Sequence, residues 1–301
     1  MHIRDILADP KPSLSFEFFP PRSAAAWEDL YQAIRELEPL RPTFVSVTYG
    51  AGGGTRELTH DLVERITQTT SIPPVPHLTC VGHSEQEVTE ILERYAAAGV
   101  TNILALRGDP PRDQPNYDWS ESGFRHASDL VRFIGKFNES GSHPDPRGFG
   151  IGVAGFPEGH PATPNRVDEL DFLKAKVDAG ADYICTQLFF DNHDFFDFRD
   201  RCDLAGIHVP IIAGVMPVTS RQGMKRMAEL AAGARYPAKL IRALDRAQCS
   251  PESVERAGIH YAAEQCAGLL DEKVDGIHFY TLNKSRATRE IYSSLGLAPG
   301  A

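Results

Sequence analysis

The sequence predicts an α/β fold, a (β/α)8 or TIM barrel, in a single domain covering residues 1–301. Eight short β-rich segments alternate with helical patterns, and eight such units in a chain of this length are typical of these barrels. The strand segments are nearly continuous apolar runs, as expected for parallel strands covered on both faces. Several of them also end in a polar residue, which matters because barrel active sites form at the carboxyl ends of the strands.

The individual elements follow from hydrophobic periodicity and from turn residues. The predicted strands are 14–19, 43–49, 75–80, 102–106, 149–154, 183–188, 209–215 and 276–282. The predicted helices are 24–38, 56–69, 84–98, 125–138, 166–179, 193–204, 221–232, 251–270 and 287–295. Gly99 and Gly180 follow two of these helices at the position where glycine commonly ends a helix. The loops 110–123 and 138–148 are longer than the others, and we interpret them as functional or flexible loops.

A doubly wound dinucleotide-binding sheet is the competing architecture. Its best support is the glycine-rich segment 50–55, between a predicted strand and a predicted helix. That segment has Thr55 where the G-x-G-x-x-G pattern needs its last glycine, and no acidic residue follows at the distance expected for ribose binding. A glycine loop lying close to a ligand is the better interpretation.

Composition restricts the classes of function. Lys and Arg total 31 against 41 Asp and Glu, a formal net charge of −10, and no basic block occurs. This argues against general binding of nucleic acid or anionic membranes. The amino terminus lacks the pattern of a signal peptide, and the longest apolar stretches, such as 209–218, are too short to span a membrane. Five cysteines without a C-x-x-C pair favour reduced thiols and a cytoplasmic location.

The most informative local feature is a carboxylate inside an aromatic run. Glu17 lies between Phe16 and Phe18, and Pro20 and Pro21 end the segment soon after. Burial among aromatic rings would raise the pKa of the carboxyl group and make it a general acid near neutral pH. The alternative is an edge strand from which Glu17 points into water.

Polar residues at the other strand ends would converge with Glu17 on one face of the barrel. They are Thr48, Tyr49, His77, Arg107, Asp109, His160, Gln187 and Tyr280. Each of them alone has a structural explanation, such as a cap, a turn or a satisfied core amide. The segment 77–83 has the spacing of a metal site, but strand alternation would send His77 and Cys80 to opposite faces, so we expect no metal and interpret His77 as a ligand contact.

Eight ordered motifs, from Phe16 to about Leu297, resemble methylenetetrahydrofolate reductase of the compact bacterial type. They are FEFFPP at 16–21, FVSVTYGAGG at 44–53, PHLTC at 76–80, LRGDPP at 106–111, ASDLV at 127–131, FPEGHP at 156–161, KVDAGADYICTQLFFD at 176–191 and GIHFYTLNKS at 276–285. The resemblance implies one catalytic domain, without the regulatory domain of eukaryotic members. It implies reduction of 5,10-methylenetetrahydrofolate to 5-methyltetrahydrofolate by NAD(P)H, in a ping-pong cycle through bound FAD.

The resemblance also implies roles for individual residues. Glu17 would be the general acid that helps open the folate ring, and Asp109 would tune the flavin and stabilise the cationic intermediate. Substrate would contact Glu17, Gln187, Tyr280 and Lys284. FAD would be held by Thr48, Tyr49, Ala51, Gly52, His77, Arg107, Gly108, Asp109, His126, Ala127, Phe156, His160, Glu169 and Lys176.

Several positions depart from the family pattern, and most of them belong to the cofactor pocket. Phe156 and His126 stand where tyrosine is common, Glu169 replaces Asp, Ala175 replaces a basic residue, and Lys284 replaces a frequent arginine. The expected partners are methylenetetrahydrofolate and NAD(P)H, with a mild preference for NADH, in a homo-oligomer. A flavin-free pterin-binding methyltransferase and a non-catalytic folate-binding subunit are the alternatives.

Overall fold

Eight parallel strands form a closed barrel in which each strand pairs with its neighbours in chain order, β1 to β8. The computed structural model describes residues 1–50, 56–111, 114, 117–119, 123–230 and 234–297. The strands are β1 (Ser13–Phe18), β2 (Phe44–Val47), β3 (Pro74–Thr79), β4 (Asn102–Leu106), β5 (Gly150–Gly155), β6 (Tyr183–Thr186), β7 (Ile211–Val215) and β8 (Gly276–Tyr280). The predicted barrel is therefore confirmed.

Helices surround this barrel. They are α1 (Ile3–Leu7), α2 (Ala24–Leu37), α3 (Arg56–Thr69), α4 (Glu85–Ala97), α5 (Ala127–Glu139), α6 (Arg166–Asp178), α7 (Asn192–Leu204), α8 (Arg221–Leu230), α9 (Ala238–Arg246), α10 (Pro251–Asp271) and α11 (Arg286–Ser294), with a 3₁₀ turn at Glu38–Leu40. Side chains cap several amino termini, as where Ser84 and Glu87 form a reciprocal capping box at α4. Among the helices of the described part of the chain, none combines the length and apolarity needed to cross a membrane.

Two helices, α1 and α9, have no counterpart among the predicted elements. α1 has only five residues, too few to display a helical period, yet Ile3 and Leu7 are buried. They close the amino-terminal end of the barrel by packing against its interior. α9 buries Leu240 and Leu244 on one face, and it lies in a stretch to which we assigned no element.

The barrel has two apolar layers. Inside it, residues from the strands pack together with α1: Phe44, Val75, Leu104, Tyr183, Cys185 and Ile212. A larger layer lies between the strands and the helices, and it includes Phe16, Phe18, Phe279 and Tyr292. Since successive side chains of a strand point to opposite faces, Phe16 and Phe18 face the helices and Glu17 between them faces the barrel interior.

Strands β2, β6 and β8 end two residues earlier than the sequence predicts. The ladder between β1 and β8 stops at the pair Glu17 and Tyr280, and that between β1 and β2 at Phe18 and Val47. The residues beyond these pairs form loops at the carboxyl end of the barrel. The carboxyl ends of β1 and β8 therefore bring Glu17 and Tyr280 together at this end of the barrel, which we call the mouth.

A close contact between helix and loop provides a test of the packing. A Cβ atom added to Gly258 in α10 would lie 1.7 Å from the backbone oxygen of Val218, whereas one added to Gly135 in α5 would meet nothing within 4 Å. We expect Gly258→Ala to lower the free energy of unfolding by about 1–3 kcal/mol through overpacking. The control Gly135→Ala should raise it by about 0.5–1 kcal/mol, because alanine favours helix. Chemical denaturation measures both, and equal effects would contradict this packing.

Candidate active site

Glu17 lies at the carboxyl end of β1, in register with Ser46 on β2 and Tyr280 on β8. Its side chain is only 19% exposed. Burial raises the pKa of this carboxyl group to about 8, and a hydrogen bond from Ser46 opposes the rise only in part. Glu17 therefore holds its proton at neutral pH, which is the state that a general acid needs.

His77 on β3 faces Glu17 across the mouth, with its Nε2 3.6 Å from Oε2 of Glu17. That distance is too long for a good hydrogen bond. Burial lowers the pKa of His77 to about 4, so the imidazole is neutral where Glu17 is protonated. The two groups therefore form a neutral pair and no salt bridge. The buried Nε2 of His77 has no hydrogen-bond partner among the described residues, which suits a ligand contact.

A polar network that the sequence analysis missed lies one layer below Glu17. His278 on β8 bonds through Nδ1 to the Ser15 hydroxyl at 2.7 Å and through Nε2 to the Ser46 hydroxyl at 3.0 Å. Burial lowers the pKa of His278 to about 3, so its ring is neutral and provides one donor and one acceptor. The alternation of strand side chains could have found these residues, because Ser15 and His278 precede Glu17 and Tyr280 by two positions.

Two further predicted substrate contacts lie at the ends of β8 and β6. The hydroxyl of Tyr280 donates to the backbone oxygen of Thr186 on β6 at 2.7 Å, so its ring crosses the mouth beside β7. Gln187 follows β6 directly, and its side-chain oxygen accepts the backbone N–H of Leu188 at 2.8 Å. Both side chains are held in place before any ligand binds.

A second group of predicted residues gathers charge on the β4, β5 and α6 side. His160 lies within the electrostatic influence of Asp109, Arg107 and Lys176, and burial with the two cations lowers its pKa. Lys176 donates from Nζ to the backbone oxygen of Ala154 at 2.6 Å, and burial lowers its pKa to about 8. Glu169 lies close enough to raise that pKa again, so Lys176 keeps a carboxylate neighbour. Asp109 and Arg107 are exposed.

Gly108 is required by this geometry. Its φ is +80°, and an added Cβ would lie 2.7 Å from Cγ1 of Val81 and 2.9 Å from Cβ of Thr79. Any side chain would therefore push the loop away from β3. The loop orientation that carries Arg107 and Asp109 depends on this glycine.

Other predicted cofactor residues lie apart from the mouth or bond to protein side chains. The Tyr49 hydroxyl bonds to His83 at 3.0 Å and to Arg56 at 3.2 Å, so it faces α3 and α4. The exposed His126 stacks on Phe172 of α6, with ring centroids 5.9 Å apart. The remaining cofactor residues are Phe156, which contacts His160 edge-on, the half-buried Thr48 and Ala127 at the start of α5. Lys284, predicted to contact substrate, is exposed after β8. Ala51 and Gly52 lie outside the described residues.

The loop after β8 has an unusual backbone. Leu282 and Asn283 have φ of +51° and +59°, the left-handed region. This conformation costs L-residues roughly 1–2 kcal/mol each, and asparagine tolerates it better than leucine. The Asn283 amide bonds to both backbone polar groups of Phe19, at 3.0 and 2.8 Å. Asn283 was not among the predicted site residues, although it lies next to Lys284.

The site thus combines two chemically different walls. The β1, β3 and β8 side presents a protonated carboxyl group among neutral imidazoles and hydroxyls. The β4, β5 and α6 side presents cations with Asp109 and Glu169. Such a mouth can protonate a bound base on one side and hold an anionic group on the other.

Comparison with solved structures supports the barrel. A Clostridium thermocellum protein described as binding two copies of 5-methyl-5,6,7,8-tetrahydrofolic acid superposes with a TM-score of 0.63 and 15% identity, over 99% of this chain and 98% of that one. A 2,3-dimethylmalate lyase gives a TM-score of 0.51 and 11% identity, over 98% of this chain and 83% of that one. At such identities the likeness concerns the fold alone.

Comparison with sequences reaches further. A family model described as "Methylenetetrahydrofolate reductase" matches residues 2–296. The Escherichia coli 5,10-methylenetetrahydrofolate reductase is 38% identical over 96% of this chain and 92% of its own length. The Arabidopsis thaliana methylenetetrahydrofolate reductase (NADH) 1 is 38% identical over 98% of this chain, which spans about half the length of that relative. The chain belongs to the methylenetetrahydrofolate reductase family.

Proposed function

We propose that this chain reduces 5,10-methylenetetrahydrofolate to 5-methyltetrahydrofolate with electrons from NADH, through bound FAD. The observation that carries the proposal is the protonated Glu17, a carboxylic acid with a pKa of about 8 at the barrel mouth. Opening the five-membered ring of the substrate needs a proton for the amine that leaves. A carboxyl group of ordinary pKa would be ionised at neutral pH and could not supply it.

Described residues on the β4, β5 and α6 side of the mouth, together with His77 on β3, fit the cofactor. Lys176 and Arg107 are cations suited to a pyrophosphate, and Gly108 allows backbone to approach a ring closely. Two buried polar atoms, Oε1 of Glu169 and Nε2 of His77, lack partners among the described residues and suit ribose or flavin polar groups. The remaining predicted contacts are Thr48, Tyr49, Ala51, Gly52, Asp109, His126, Ala127, Phe156 and His160. When bound, FAD would supply the redox chemistry, which is the transfer of a hydride equivalent from NADH to the folate methylene carbon.

The residues of the chain perform the acid–base and electrostatic steps. Glu17 donates its proton to the leaving amine nitrogen, the ring opens, and the substrate becomes an iminium cation at N5. Asp109, as a carboxylate, stabilises that cation. Gln187 and Tyr280 hold the pterin, and Lys284 pairs with an anionic group of the substrate. Glu17 then regains a proton from solvent through the mouth, to which it remains 19% exposed.

NADH and folate would use one flavin face in turn, which gives ping-pong kinetics. The NADH assignment is supported by the names of the Arabidopsis and Zea mays relatives, both described as NADH enzymes. We further propose that the chain acts as one catalytic domain and associates into a homo-oligomer.

A visible spectrum of the purified protein tests the proposed function directly. Bound flavin should give a yellow protein that NADH bleaches under anaerobic conditions and that methylenetetrahydrofolate then re-oxidises. A protein that stays colourless and inert with added FAD would favour a flavin-free methyltransferase or a folate-binding subunit.

Glu17→Gln should separate the two half-reactions. We expect re-oxidation by methylenetetrahydrofolate to slow by about 10²–10⁴-fold, the usual contribution of a general acid. Reduction of the flavin by NADH should stay within about twofold, because that step needs no proton from Glu17. Stopped-flow absorbance measures both rates.

Asp109→Asn is the matched comparison for Glu17→Gln, since it also replaces a carboxyl group by an amide at the mouth. It should change the flavin reduction potential as well as the folate step. If Glu17→Gln slowed both half-reactions equally, Glu17 would be structural and no general acid.

The raised pKa of Glu17 predicts a pH dependence of activity and of stability. The folate half-reaction should be level below about pH 8 and fall above it, as Glu17 ionises. Between pH 5 and 7 the folded state keeps this proton and the unfolded chain does not. The free energy of unfolding therefore falls with rising pH, by at most about 1.4 kcal/mol per pH unit from this group.

Glu17→Gln should remove that slope, so the variant gains stability relative to wild type as the pH rises from 5 to 7. Urea denaturation at several pH values measures the difference. Parallel stability profiles for the two proteins would show that the pKa of Glu17 is not raised.

A further inference from the structure

Side chains from the loop after β8 extend the contact between β1 and β8 beyond their last backbone pair. The hydroxyl of Thr281 donates to the backbone oxygen of Glu17 at 2.6 Å. The Asn283 amide then donates from Nδ2 to the backbone oxygen of Phe19 at 2.8 Å and accepts the Phe19 N–H through Oδ1 at 3.0 Å. The side-chain amide of Asn283 thus makes the two bonds to Phe19 that the backbone of a paired strand would make. We call this pair of bonds the clamp.

The chain needs such bonds at this position. β1 ends at Phe18, and Pro20 and Pro21 have no N–H with which to continue a ladder. On the other side, the N–H of Thr48, the residue after β2, donates to the backbone oxygen of Phe18 at 2.9 Å. On the β8 side, backbone pairing stops at Glu17 and Tyr280, and side-chain bonds from Thr281 and Asn283 hold the residues that follow.

The left-handed backbone explains why an asparagine performs this task. With φ of +51° at Leu282 and +59° at Asn283, the loop turns back so that residue 283 faces the end of β1. The Asn283 N–H donates to the Thr281 hydroxyl at 3.2 Å, which joins the two residues into one unit. Asparagine combines tolerance of this conformation with an amide that both donates and accepts.

We propose that Asn283 is a positioning residue, which holds the end of β1 so that the Glu17 carboxyl group keeps a fixed place relative to Tyr280 and Lys284. This inference rests on the proposed function. Glu17 lies two residues before Phe19, while Tyr280 and Lys284 flank the loop that carries Asn283. The clamp therefore couples the acid to the residues proposed to hold the substrate.

Asn283→Gly tests the inference, because glycine accepts a φ of +59° and removes both bonds to Phe19. We expect the folate half-reaction to slow by roughly 10–100-fold, with a higher KM for folate, since small misplacements of a reacting group are costly. Flavin reduction by NADH and flavin affinity should change by less than about twofold.

Two further variants control for loop flexibility and for loss of fold. Lys273→Gly replaces another non-glycine residue of positive φ, +52°, which follows the C-cap Glu272 of α10, and this variant should behave as wild type. Asn283→Asp keeps the acceptor for the Phe19 N–H and loses the donor, so its effect should be smaller than that of Asn283→Gly. If Asn283→Gly is not recovered folded, the rates of the folate half-reaction in Asn283→Asp and Lys273→Gly provide the test. A slower rate in Asn283→Asp alone supports the positioning role, and equal rates in the two variants overturn it.

Hydrogen exchange of the Phe19 amide tests the clamp without turnover. We expect exchange to be at least about tenfold faster in Asn283→Gly, close to wild type in Asn283→Asp, and unchanged in Lys273→Gly. Wild-type folate kinetics in Asn283→Gly would overturn the positioning role. A wild-type protein that fails to reduce folate, yet shows this exchange pattern, would instead overturn the proposed function and leave the clamp standing.

Discussion

The parallel pairing of β1 with β8 is the constraint on which the site depends. It joins the first and the last strand, so that the sheet closes and each of the eight barrel strands has a neighbour on both sides. It also sets Glu17 opposite Tyr280 in register. A shift of one residue in this pairing would take Glu17 out of register with Tyr280. It would also break the bond between Ser15 and His278, because strand side chains alternate between faces.

The β1, β3 and β8 side of the mouth is buried and uncharged near neutral pH. The same loss of water raises the pKa of Glu17 and lowers those of His77 and His278, so all three are neutral near pH 7. An ion pair between Glu17 and His77 would have to repay the desolvation of two charges, and at 3.6 Å their attraction is insufficient. Charge is kept instead on the opposite wall, where Arg107 and Asp109 remain in contact with water.

Much of the fold could be predicted from the sequence, since strand and helix periods are local properties. The exceptions have physical causes. α1 is too short to show a period, and its helical form depends on packing Ile3 and Leu7 into the barrel. In the site, Glu17 was found from its aromatic neighbours. Ser15, Ser46 and His278 were missed: strand alternation places Ser15 and His278 on the same face as Glu17 and Tyr280, but the bonds that join the three residues depend on which strands are neighbours in the closed barrel.

By itself the sequence determined the alternation of strands and helices, the polar strand ends and the aromatic setting of Glu17, because each depends on residues adjacent in the chain. Only the tertiary structure decided that Tyr49 turns towards α3 and α4, that Glu17 and His77 share a neutral pair, and that Asn283 clamps Phe19. These contacts join residues far apart in the chain. Their energies depend on burial and on distances that exist only once the barrel has closed.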